Sequence, residues 1–252
     1  TSLLASACEK LSINRASPIY LEPLKERIPM SIVLAQSETH KLFNGEMWAQ
    51  GPADKNTAPI GFFDIPSQCL QTTFSIDFNE NGGNLWIVGA PGSGKTEAIL
   101  SLALSLCMTH TPEEMPFYVI EFGSGSLSKL EAFPHCGAVI RQNDAERINR
   151  LINYLKGELS GRSEPLGYSA SLPHIYVFLN NAADFKNQYP DQFDELGRFV
   201  RSGGAVGIHF IFATNRGSEL SRNLSGNIPA RIVLQLAERQ EFGDVLGTIN
   251  LP

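Results

Sequence analysis

No stretch of this chain approaches the roughly 18 uninterrupted apolar residues of a membrane span, and none resembles a secretory leader. Its four cysteines, Cys8, Cys69, Cys107 and Cys136, lie far apart and form no C-x-x-C. That spacing favours reduced, mostly buried thiols over a disulfide framework or a metal site. His135 and His174 stand at turns beside prolines with no metal-ligand spacing to any partner, and no Ser-His-Asp pattern stands out. An excess of basic residues is also missing. The net charge is −6, against the large positive footprint that nucleic acid prefers. There is no internal repeat, heptad pattern or low-complexity tract. What remains, with 42% hydrophobic and 18% charged residues, is an ordinary globular composition. A start at Thr1 rather than Met leads us to expect a fragment of a longer chain, with any membrane anchor outside it.

The first 60 residues are mixed in character. SACEKLSI reads as a helical turn region, PIYLEPLKERIPMSIVL, with three prolines, as an extended segment on a domain surface, and QGPADKNTAPIG as a polar loop. TTFSIDF alternates, which predicts a half-buried strand with Phe74, Ile76 and Phe78 on one side. From Asn84 onward, apolar runs of strand length (NLWIV, FYVIEF, IYVFL, HFIFA, IVLQL) alternate with helical or Gly-rich sequence. EAILSLALSLCM is apolar nearly all round, as a helix buried in a sheet-helix sandwich should be. NDAERINRLINYLKGEL is the clearest helix. Ile148, Leu151, Ile152, Leu155 and Leu159 share one face, and Asn143 with Glu146 is expected to form a capping box. Alternating β and α with near-continuous apolar strands predicts an α/β fold, a parallel sheet covered on both faces. We expect a lead-in segment over residues 1–60 and a P-loop domain over residues 61–252.

The sequence Gly89-Ala90-Pro91-Gly92-Ser93-Gly94-Lys95-Thr96 matches G-x-x-x-x-G-K-[ST] in full, with an apolar strand before it and a helix after. The glycines let the backbone curl so that successive N–H groups point at phosphate oxygens, and the helix adds its positive end. Lys95 is then placed for the β- and γ-phosphates of ATP, and the Thr96 hydroxyl for Mg²⁺.

Several further stretches give the chain a family likeness. These are IYLEPLKERIPMSIVL with APIGFFDIPSQCLQTTFSIDF, VIEFGSGSLSKLEAFPHCGAVI, AERINRLINYLKGELSGR, FVRSGGAVGIHFIFATNRGSEL, and NIPARIVLQL with FGDVLG. In this order, from about Ile19 to Leu246, they resemble a FtsK/SpoIIIE-type ATPase domain, specifically the second or third ATPase module of the type VII secretion motors of the EccC/EssC family. The resemblance implies a RecA-like P-loop NTPase and a role in moving Esx-type secreted substrates. It further implies work with other ATPase modules of the same chain, on the cytoplasmic side of a membrane secretion complex. Composition shows none of that.

Against this background the end of IYVFLNN departs. P-loop ATPases commonly end that strand, Walker B, with an Asp that helps hold Mg²⁺, then an acid that polarises the attacking water. Here stand Asn180 and Asn181. An amide accepts a hydrogen bond but carries no charge and takes no proton. Glu121 replaces the family's usual Asp at the end of FYVIEF and is a candidate to compensate, since ligands in open α/β sheets sit at such strand ends. Asp184 reads better as a solvated or capping acid. Asn215, ending HFIFA, is a candidate γ-phosphate sensor, with an ordinary strand-end turn equally open. Arg198, Arg201 and Arg231 are candidate interface arginines or ordinary surface ones. His209 reads as a core histidine, and Phe133, Phe193, Phe199 and Phe242 as core aromatics. The expectation is ATP binding with little or no hydrolysis. Two alternatives are a DNA-translocating motor, which the charge disfavours, and a scaffold that no longer binds nucleotide.

Overall fold

The structure, a computed structural model, describes residues 20–37, 43–48, 56–164, 172–238 and 240–247, together with Lys10. The expected turn at SACEKLSI lies outside them, Lys10 excepted. Six strands form one all-parallel sheet in the order β5-β4-β6-β7-β3-β8. They are β3 (Leu85–Val88), β4 (Phe117–Glu121), β5 (Cys136–Arg141), β6 (Ile175–Asn180), β7 (Ile208–Thr214) and β8 (Ala230–Val233). The hairpin of β1 (Thr57–Ile65) and β2 (Leu70–Asp77) is antiparallel and stands apart from this sheet. The mainly parallel α/β architecture expected from the sequence is therefore present.

Alternation along single strands explains the continuous apolar runs. Leu85 and Ile87 of β3, with Tyr176 and Phe178 of β6, pack on one face of the sheet against Ile99, Leu102 and Leu106. Trp86 and Val88, with Ile175, Val177 and Leu179, pack on the other face against Leu151, Leu155, Phe193 and Phe199. Both faces are covered, so both parities must be apolar. Helix α2 (Lys95–Thr109) lies between the sheet and β1, and only Glu97 of its residues is exposed. The opposite layer is built from α3 (Ala145–Ser163), α4 (Ala182–Gln188) and α5 (Pro190–Gly203), followed by α6 (Arg222–Ser225) and α7 (Gln240–Leu246).

Four local expectations change. The extended segment ends at Pro29, and Met30–Gln36 form a helix, α1, with Val33 and Leu34 buried. This stretch follows the last of the prolines, so every N–H is available and an apolar pair can dock. QGPADKNTAPIG is not all loop, since β1 begins at Thr57 and crosses the expected boundary between residues 60 and 61. Pro59 is tolerated there because the pairing register shifts between it and Gly61. Phe74 is 40% exposed, while Ile76 and Phe78 are buried. Phe74 pairs with Gly61, on the part of the hairpin toward its turn where Phe63 and Leu70 are exposed as well. The N-cap of α3 is Asp144, whose carboxylate accepts from the Arg147 N–H at 3.1 Å, rather than Asn143. The apolar stripe of α3 is as read, with Ile148, Leu151, Ile152 and Leu155 buried and Leu159 partly so.

Candidate functional site

Parallel strands bring their C-terminal ends to one edge of the sheet, and β3, β7, β6 and β4 place the candidate residues in a row along it. Val88 of β3 leads into the P-loop. Gly92 and Gly94 adopt φ of +80° and +100°, a left-handed backbone that side-chain-bearing residues rarely adopt. The loop is tied to both neighbouring strands' exits. The Gly89 N–H donates to the Thr214 carbonyl at 3.2 Å, and the Ala90 N–H to that of Gln235 at 2.8 Å. Gly89 packs on Ser93 and Leu234, where a Cβ would lie 2.4 Å from the Ser93 hydroxyl. Pro91 and Gly92 are exposed, and Thr96 is half-buried in the first turn of α2. First-turn N–H groups have no partner within a helix, so Lys95 and Thr96 present donors beside the loop.

Lys95 folds over this loop. Its Nζ donates to the carbonyls of Gly89 at 2.6 Å and Ala90 at 3.0 Å. Burial lowers the pKa of the ammonium, and the nearby charge of Glu219 opposes that shift. The sequence analysis did not single out Glu219. It closes the turn Gly217–Glu219 beyond β7, and its Oε2 accepts the Asn215 N–H at 2.8 Å. The available signal was an acid shortly after the strand that neighbours the P-loop strand. Asn215 follows the end of β7 beside the loop, with its backbone held in the strand-end turn by Glu219. At the same place Thr214 Oγ1 accepts from the Trp86 indole at 2.8 Å.

Strand β7 lies between β3 and β6. At about 4.8 Å per strand, the end of β6 is roughly 10 Å from the start of the loop and that of β4 roughly 14 Å. Asn180 is buried, and its Nδ2 donates to Glu121 Oε1 at 2.9 Å. Glu121, also buried, accepts two backbone donors as well, Gly123 at 2.6 Å on Oε1 and Leu127 at 3.2 Å on Oε2. The acid thus caps the turn that opens the 3-10 segment Ser126–Ala132. Asn181 takes a left-handed conformation (φ +58°) at the start of α4. Its Nδ2 donates to the Phe122 carbonyl at 3.2 Å and to Asp184, while its Oδ1 is buried with no partner among the described residues. Asp184 thus belongs to the first turn of α4 and is spent on Asn181.

The remaining candidates fall elsewhere. Arg231 donates to the carbonyls of Ser225, Ile228 and Val245 and lies over the Trp86 ring, an internal brace. Arg198 pairs with Glu195 at 2.6 Å on the surface, and Arg201 is exposed. Both line a groove with Ser221 and Asn227 that shares no residue with the P-loop. Phe193 and Phe199 are buried core, and Phe133 and Phe242 pack at its margins. His209 is buried with both ring nitrogens in hydrogen-bond contact. Cys107 and Cys136 are pushed up to about 12 and about 11, chiefly by burial, which makes them poor nucleophiles.

The curated relatives of this chain include the ESX-1 secretion system protein EccCb1 of Mycobacterium tuberculosis. It is 24% identical over 249 residues, covering 90% of this chain and 40% of that protein. The ESX secretion system protein EccC of Geobacillus thermodenitrificans is 29% identical over 208 residues, 77% of this chain and 14% of that protein. Among solved structures, EssC (ATPases 2 and 3) of G. thermodenitrificans superposes with a TM-score of 0.74 at 26% identity, over 92% of this chain and 44% of that one. The cytoplasmic domain of the Thermomonospora curvata type VII secretion ATPase EccC gives 0.77 at 24% identity, over 88% and 28%. The chain thus spans less than half of the length of these proteins. The FtsK/SpoIIIE family pattern matches residues 48–241, and this P-loop domain belongs to that family.

Proposed function

We propose that this domain is an ATP-binding module of a type VII secretion motor that holds its nucleotide with little or no hydrolysis. One observation carries the reading: an intact phosphate loop with Lys95 poised on it faces a Walker B end made of two amides, Asn180 and Asn181. The donor set suits a nucleoside triphosphate with Mg²⁺. Thr96 would supply a hydroxyl to the metal, Lys95 and the loop N–H groups would meet the phosphates, and the unpartnered Asn181 Oδ1 would be free to accept from a metal- or phosphate-bound water. Bound Mg²⁺ would supply charge neutralisation at the phosphates. Missing is a base at the end of β6, whose loss typically costs about 10²–10⁴-fold in rate. To admit phosphate, Lys95 must leave the Gly89 and Ala90 carbonyls for the incoming oxygens, an exchange of neutral for charged acceptors that favours binding.

By similarity to EccC and EssC, whose solved structures hold several ATPases, the partners are other ATPase modules of one chain at the cytoplasmic face of a membrane complex. T. curvata EccC (ATPases 2 and 3) was solved with a signal sequence peptide, and by analogy Esx-type substrates are the cargo here. No helix among the described residues is long and apolar enough to cross a membrane. Calorimetry with ATP and Mg²⁺, beside a steady-state phosphate-release assay, tests the proposal. Binding with turnover far below that of working motors is expected. Absence of binding refutes it, as does ordinary motor turnover abolished by Lys95→Ala.

A further inference from the structure

Among the described residues, Glu121 is the only acid that ends a strand of the main sheet. It does not stand alone there. Strands β4 and β6 are neighbours in parallel register, with Glu121 directly beside Asn180. The glutamate is long enough to bring Oε1 to 2.9 Å from Asn180 Nδ2. The fit is close on every side. A Cβ on Gly123 would lie 2.5 Å from Asn180 Nδ2 and 2.7 Å from Glu121 Oε1, so glycine is needed where the turn crosses the pair. Both side chains are at most 5% exposed. Two carboxylates at this distance and burial cannot both be ionised without a large penalty, whereas a carboxylate facing an amide donor is a stable, charge-assisted contact.

We propose that Glu121 and Asn180 are a one-charge unit in which the acid of the site is carried on β4 and Asn180 is its positioning residue. On this view Asn180 is not simply a decayed Walker B aspartate. It is the neutral partner that the longer acid on the adjacent strand requires. The strand ends beside the loop would then offer the metal's water shell a single carboxylate, that of Glu121, oriented by Asn180 and by the Gly123 and Leu127 N–H groups. Restoring aspartate at position 180 alone therefore does not restore a Walker B site. It places a second charge against the first and breaks the cap on the turn from Phe122 to Leu127. The role toward the metal's water shell rests on the proposed ATP binding; the pairing itself does not.

The test is a set of variants, N180D, N180A, E121Q and the exchange E121Q/N180D, read in two ways. In melting without nucleotide, N180D is expected to fall by at least about 5 °C. N180A, which removes the donor without adding charge, falls less, and the exchange variant melts above N180D. In calorimetry, the parent protein is expected to bind ATP at least about tenfold tighter in Mg²⁺ than in EDTA. E121Q loses most of that advantage, and the exchange variant keeps it. A purely structural role for the pair would leave this ratio unchanged. The one-charge unit is overturned if N180D melts with the parent, if N180A loses as much as N180D, or if the exchange is no better than N180D. The role of Glu121 toward the metal is overturned if E121Q keeps the full Mg²⁺ advantage. A parent protein that binds no ATP in either buffer refutes the proposed function, while the melting series still decides the pairing.

Discussion

Acidification should destabilise this domain at the edge of the sheet opposite the nucleotide loop, through a pair of histidines that burial keeps neutral. His209, the second residue of β7, is 1% exposed. Its Nδ1 lies 2.8 Å from the Gly83 carbonyl, which can only accept, so Nδ1 carries the proton and Nε2 is left as an acceptor 2.9 Å from His174 Nδ1. The rings stack with centroids 5.2 Å apart. Burial is the main cause lowering both groups, His209 to about 3 and His174 to about 4. The charge of His174 adds to the shift of His209, that of His110 to the shift of His174, and Arg162 to both, while the Gly83 carbonyl works against it at His209. The unfolded chain takes up a proton at each histidine near pH 6.5, and the folded pair refuses it until well below pH 5. Between these limits the unfolded state binds more protons. Stability is therefore full above about pH 7 and is lost as the pH falls through 6.5 toward 4. At pH 5 the deficit is about 1.5 pH units, or about 2 kcal/mol, for the fully buried His209. Half-exposed His174 adds about 1 kcal/mol once solvent screening is allowed for. The sum of about 3 kcal/mol corresponds to a drop in Tm of roughly 6–12 °C for a chain of this size. Urea unfolding at pH 7.5 and 5.0, for the parent and for His209→Gln, checks it. The variant should be less stable at pH 7.5 but should lose about 2 kcal/mol less on acidification. Equal losses in both proteins would refute the assignment of the effect to this pair.

Replacing Lys95 by Ala is expected to weaken ATP binding about 10- to 100-fold, the worth of one or two hydrogen bonds to charged phosphate. The Tm should move little, because among the described residues the Lys95 ammonium hydrogen-bonds the Gly89 and Ala90 carbonyls at the rim of the loop rather than bracing the core. Phe178→Ala should cost about 3–5 kcal/mol in urea unfolding, since the ring is fully buried between Phe117 and the α2 layer and leaves a cavity. Trp48 donates from its indole to the Cys107 carbonyl at 2.8 Å, packs on Phe43, and straps the lead-in segment to the end of α2. Trp48→Ala should lower stability by about 1–3 kcal/mol and leave the ATP affinity within about twofold, because the strap lies at the far end of α2 from Lys95. Arg231→Ala should lower the Tm without altering ATP affinity in the isolated domain, because its guanidinium is spent on internal carbonyls.

What the sequence determined by itself was local. The P-loop was legible because its glycines are demanded by the loop's own backbone, as the positive φ at Gly92 and Gly94 shows. The parallel sheet was legible because strands buried on both faces have no polar parity, and the α3 stripe because 3.6-residue periodicity acts within one helix. The tertiary structure alone decided which charges meet. Glu121 and Asn180 are 59 positions apart and face each other only because β4 and β6 pair in one register. Glu219 reaches the neighbourhood of Lys95 only because β7 is inserted beside β3. Phe74 alternates like a core residue, yet it is exposed, as are Phe63 and Leu70 of the same hairpin, while Ile76 is buried. Periodicity and turn chemistry act over a few residues and can be read in order along the chain. Register and strand order are set by the packing of the whole core, and in this domain they decide which residue the Glu121 carboxylate faces.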